Sequence, residues 1–111
     1  MKIQESKQGA VTVLKPAGPL TQNDATEFRT VAMRVVESNL GRMLVDMSAI
    51  PFVDSLGLEV LVELTEELQK SGQMLRVCAA NKTLREVFSL TGVAPQFEQF
   101  DDVNTAIRSF L

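Results

Sequence analysis

The stretch MLVDMSAIPFVDSLGLEVLVEL, Met43 to Leu64, changes character half-way along. Met43 to Met47 is a short, nearly continuous apolar run, the mark of a strand buried on both faces. From Ser55 onward the pattern becomes helical. Gly57, Leu61, Leu64 and Leu68 fall on one side, and Glu59, Glu63, Glu66 and Lys70 on the other. SGQ ends this helix at about Lys70, and MLRVCAA, Met74 to Ala80, follows as a second buried strand. Strand, helix and strand in that order argue for a crossover between parallel neighbours. Asp54 and Ser55 stand where the first strand gives way to the helix.

Working outward, IQESKQGAVTVLKPAG reads as two short strands with a turn at Gln8-Gly9, because Val11 and Val13 alternate with polar neighbours. The spacing of Ala25, Phe28, Val31, Ala32, Val35 and Val36 predicts a helix from about Thr21 to Asn39. Thr21 suits its N-cap, with Asp24 in a capping-box position, and Gly41 suits the left-handed residue past its end. Beyond the second buried strand, NKTLREVFSLTG predicts a helix capped by Asn81, QFEQF a short edge strand, and Asp101 the cap of a last helix. The order is β-β-α-β-α-β-α-β-α. It predicts one α/β domain over residues 1–111: a mixed sheet of four or five strands with about four helices, mainly on one face. Sites in such sheets form outside the carboxyl ends of the strands. Three connections should converge there: 18–23, 48–55 and the turn at Asn81.

Composition narrows the chemistry. The 111 residues carry a net charge of −3 without a dense basic cluster, which argues against nucleic acid or an anionic membrane as partner. The six aromatic residues are all Phe, so no base-stacking platform is expected. There is no histidine and one cysteine, so neither a Ser-His-Asp set nor a zinc cage can be assembled. No phosphate-binding glycine loop, membrane span or leader pattern is present. A single-domain protein of a reducing cytoplasm, without cofactor, metal or catalytic set, is the expectation. Cys78 reads as core and Asp46 as hydrogen-bonded structure. The Glu-rich side of the second helix reads as solvated, with Leu56 and Val60 partly exposed beside it.

At this point VDMSAIPFVDSLGLEVL, Val45 to Leu61, resembles the signature of STAS domains, specifically the bacterial anti-sigma factor antagonists. NKTLREVFSLTG resembles the segment after their next strand. The resemblance spans nearly the whole chain. It implies a small non-enzymatic switch that binds a serine protein kinase of the GHKL type, itself an anti-sigma factor. That kinase phosphorylates the serine after the Asp, here Ser55, and a phosphatase reverses it. Two positions depart from the pattern. Leu56 stands where many members carry Ser or Thr, and Gly18-Pro19-Leu20-Thr21 stands where many carry Gly-Glu-Leu-Asp.

Ser55 also stands on physical grounds. A helix N-terminus offers unpaired N–H groups and the positive end of the dipole, and so tolerates a phosphate. Gly57 would let another chain approach closely. The partner surface is therefore expected to comprise Thr21, Asn23, Asp54, Ser55, Leu56, Gly57, Glu59, Val60 and Asn81. Two other functions compete. One is a constitutive scaffold of the same fold in a sensory or lipid-transport assembly. The other is an enzyme with Ser55 as nucleophile and Asp54 or Lys82 as base, which the missing histidine disfavours.

Overall fold

The β1–β2 hairpin begins the sheet. In the computed structural model, which describes residues 1–111, β1 (Lys2–Gln8) and β2 (Val11–Ala17) pair antiparallel. The turn lies at Gly9-Ala10, one residue later than expected, with Gly9 at φ +62. Then follow α1 (Gln22–Ser38), β3 (Met43–Asp46), α2 (Ser55–Gln69), β4 (Leu75–Cys78), α3 (Lys82–Leu90), β5 (Phe97–Phe100) and α4 (Val103–Arg108). One sheet results, in the order β1-β2-β3-β4-β5, parallel from β2 to β5. Pro16 sits in β2 without breaking the sheet, because the β3 ladder stops at Leu14 and asks no N–H of it.

The helices divide for a topological reason. Each crossover from β2 to β5 steps one strand in the same direction. Crossovers of one hand then place every intervening helix on the same face. Thus Phe28 of α1, Leu61 and Leu64 of α2 and Phe88 of α3 join Leu14, Met43, Val45, Leu75 and Val77 in the main core. No strand follows α4, which is free to cover the other face. There Ala106 packs with Val11, Val13, Leu44 and Cys78. The apolar run in β3 is thereby explained: Met43 and Val45 face one core, Leu44 the other. Cys78 is core, and Asp46 is largely buried with a carboxylate oxygen accepting from Ser48 N–H at 3.0 Å.

Buried Thr65 joins α2 to β4 and to the turn that precedes β5. Its hydroxyl donates to the Gln96 carbonyl (2.8 Å) and accepts from Leu75 N–H (3.1 Å). Details at three helix ends differ from expectation. Helix α2 ends at Gln69, with Lys70 as its C-cap. Leu40 as well as Gly41 is left-handed after α1 (φ +54 and +77), which a leucine does not advertise. Asp102, not Asp101, caps α4, because its extended backbone aims the carboxylate at Thr105 N–H, 2.7 Å away. Those hydrogen bonds from Thr105 hold the Asp102 carboxyl below its ordinary range.

Candidate functional site

Beyond the carboxyl ends of β2 and β3 the two loops continue side by side. Gly18 N–H donates to the Ala49 carbonyl (2.9 Å), Leu20 N–H to the Phe52 carbonyl (3.1 Å) and Asp54 N–H to the Leu20 carbonyl (3.3 Å). Leu20 and Val53 form an isolated parallel bridge. The third connection joins them through Asn81. Its amide donates to the carbonyls of Pro51 (3.1 Å) and Ile50 (3.4 Å), while its oxygen accepts from Leu84 N–H at 2.8 Å and caps α3. The three segments read from the sequence as converging therefore do converge. Asn81, expected on the partner surface, uses both ends of its side chain in fastening α3 to the loop.

Asp54 fastens two helices. One carboxylate oxygen, Oδ1, accepts from Gly57 N–H at 2.8 Å and caps α2. The other, Oδ2, accepts from Gln22 N–H at 3.2 Å, at the start of α1. Thr21 occupies the N-cap position of α1, as expected, but its hydroxyl caps nothing. Asp24 lies 3.3 Å from the Met1 ammonium instead of completing a capping box. The α1 cap comes from a residue 32 positions away, which no local motif encodes. With both Asp54 oxygens accepting N–H groups, the carboxylate serves as a clasp rather than as a base for Ser55.

Gly57 and Val60 leave the expected surface. Gly57 is buried, and a Cβ on it would lie 2.1 Å from the Leu20 carbonyl oxygen and 3.3 Å from the Val53 Cβ. The close approach that Gly57 permits is made by the chain's own loop. Val60 is 6% exposed and packs in the main core, since it shares the inward side of α2 with Gly57, Leu61, Leu64 and Leu68.

What faces solvent is Ser55, Leu56 (47% exposed) and Glu59 on α2, with Gln22 and Asn23 on α1 and Thr21 half-buried between them. Ser55 is the first residue of α2; its hydroxyl and the N–H groups of Ser55 and Leu56 have no acceptor or donor within the chain. The N-termini of α1 and α2 meet across Asp54, so the positive ends of two helix dipoles lie together. A hollow of about 260 Å³ lies over Thr21, Gln22, Asn23 and Asp24. Two residues escaped the sequence reading. Phe52 is 49% exposed in the loop before Asp54, and nothing in the sequence singled it out. Gln22 holds a left-handed φ of +44, uncommon for a residue other than glycine, and donates its N–H to Asp54.

A family model for the STAS domain matches residues 2–106. The chain belongs to the STAS domain family. Solved STAS structures share its fold. An anti-sigma factor antagonist of Mycobacterium paratuberculosis superposes with a TM-score of 0.84 at 23% identity, covering 97% of this chain and 92% of that one. The Bacillus cell fate determinant SpoIIAA, solved in its phosphorylated form, gives 0.74 at 17% identity over 99% and 100% of the two chains. The murine anion transporter solute carrier 26 family member A9 gives 0.74 at 18% identity, covering 95% of this chain and 18% of that much longer one. The STAS fold thus occurs as a separate unit and within a transporter.

Proposed function

We propose that this STAS domain is an anti-sigma factor antagonist: a binding module without catalysis of its own, switched by phosphorylation of Ser55. Unphosphorylated, it binds a GHKL-type serine kinase that is also an anti-sigma factor, and a sigma factor is released. Phosphorylated, it lets go, and a phosphatase resets it. The observation that carries this reading is Ser55 itself, an exposed hydroxyl on the first turn of α2 beside unengaged N–H groups, flanked in the chain by half-exposed Phe52 and Leu56. Apolar contact area and a modifiable polar group stand together, as a switchable interface requires. The likeness to SpoIIAA, solved in a phosphorylated form, supports it. No helix is long and apolar enough to cross a membrane.

A phosphate brings about −1.5 to −2 charge to a surface that already carries Asp54 and Glu59. The helix end accommodates that charge, whereas a partner that buries the surface must desolvate it. Such a mismatch costs on the order of 2 kcal/mol or more, roughly thirtyfold in affinity. The test is calorimetric titration of the kinase with wild type, Ser55→Ala, Ser55→Glu and the phosphorylated chain. Ser55→Ala should bind and resist phosphorylation, and the charged forms should bind weakly. Equal binding by all forms would favour a constitutive scaffold. That second reading draws on Leu56 and Pro19, which place apolar groups where a hydroxyl and a carboxylate commonly stand.

A further inference from the structure

We propose that a phosphate on Ser55 is read out on the neighbouring helix: by repulsion it drives Asp54 Oδ2 off Gln22 N–H and releases the first turn of α1, while α2 keeps its cap. The inference rests on Ser55 being the modified residue and concerns how the modification reaches surface it does not touch.

Three observations carry it. First, the phosphate would sit one residue from the Asp54 carboxylate and next to the unengaged N–H groups of Ser55 and Leu56. It repels the carboxylate and takes up the positive helix end that the carboxylate now shares. Second, the two Asp54 bonds are unequal. The bond to Gly57 is 2.8 Å long, half-buried and local, whereas the bond to Gln22 is 3.2 Å long, exposed and spans 32 residues. The longer, wetter bond yields first. Third, Gln22 is held at φ +44, a region that non-glycine residues occupy only when their surroundings compel it. Once the clasp opens, Gln22 relaxes toward ordinary helical or extended angles. Thr21 and Asn23, which border the hollow beside it, move with it. Half of the proposed partner surface is thereby remodelled without itself being modified.

The experiment is residue-resolved solvent exchange of backbone amides by NMR. It compares the wild-type chain, a chain with phosphoserine placed at position 55 by genetic incorporation, and Asp54→Asn. An asparagine keeps one carbonyl oxygen, enough for the α2 cap, and offers an NH2 that cannot accept from Gln22. The Gln22 amide should exchange roughly tenfold faster or more in the phosphoserine and Asp54→Asn chains, with Gly57 unchanged. Gln22→Gly, free to hold a positive φ without strain, should blunt the rise in the phosphoserine background. An unchanged Gln22 amide in the phosphoserine chain, or Gly57 opening first, overturns the inference whatever Asp54→Asn does. No kinase enters this assay. A clasp that opens while the kinase binds all forms equally sinks the proposed function alone, and a kinase that discriminates while the clasp stays shut sinks the inference alone.

Discussion

Replacing Gly57 with alanine puts a methyl group where the Leu20 carbonyl already stands. The new Cβ would lie 2.1 Å from that oxygen, and real Cβ contacts do not fall below 3.0 Å. The oxygen belongs to backbone, so no rotamer change relieves the clash. The 18–22 loop and the start of α2 must separate by about 1 Å, which strains the overpacked join. Three hydrogen bonds cross it: Leu20 N–H to Phe52, Asp54 N–H to Leu20 and Gln22 N–H to Asp54, at 3.1, 3.3 and 3.2 Å. Their loss costs about 1 kcal/mol each. Alanine's better helix propensity returns up to about 1 kcal/mol. The net is a destabilisation of about 2 kcal/mol, or a fall in Tm of about 10 °C for a domain of this size. Thermal unfolding followed by circular dichroism measures it directly. A Gly57→Ala melt within about 2 °C of wild type would refute the view that these loops are closed against each other.

Thr65→Val keeps the shape of the side chain but leaves the buried Leu75 N–H and the part-buried Gln96 carbonyl without their partner; a loss of about 2 to 4 kcal/mol in urea unfolding is expected. Asn81→Ala removes the α3 cap and the tether to Pro51 together and should cost about 1 to 2 kcal/mol, with faster amide exchange at Leu84. Burial pushes the Cys78 thiol up to about 12, with the carboxylates of Asp46 and Asp102 adding to the rise, so native protein should resist alkylation that unfolded protein undergoes. An unfolded thiol ionises near its ordinary value of 9.0 while the folded one stays protonated. Stability held below pH 9.0 is therefore lost as pH rises toward about 12, at up to about 1.4 kcal/mol per pH unit, and Cys78→Ala should flatten that slope in alkaline denaturation.

The layout of strands and helices was legible because periodicity is a local property. The apolar run at Met43–Met47 and the stripe from Gly57 to Leu68 announce a buried strand and a one-sided helix without reference to anything else. Ser55 could be placed at a helix start for the same reason. What escaped depends on partners distant in sequence. Gly57 read as an opening for another molecule because the sequence does not say that Leu20 fills it. Val60 read as flanking the surface because a helix start is wound tightly enough that one position decides between core and solvent. Asp54 was legible as the residue at the strand-to-helix join, but its second oxygen serves a helix that begins 32 residues earlier, and no motif spans that distance. Phe52 carries no local signal of exposure, since periodicity says nothing of a residue in the loop between strand and helix.

The strand order also bears on how the chain is made. Each strand lies beside the one before it, so a chain emerging N-terminus first never leaves a gap for a later strand to fill. The growing edge simply advances from β2 to β5. Helix α4 alone breaks this progression. Until Val103–Arg108 folds back, Val11, Val13, Leu44 and Cys78 lie uncovered on the far side of an otherwise finished sheet. A chain in which α4 has not yet folded back presents an otherwise finished sheet with one apolar face bare, the kind of surface a chaperone binds and a neighbouring chain sticks to.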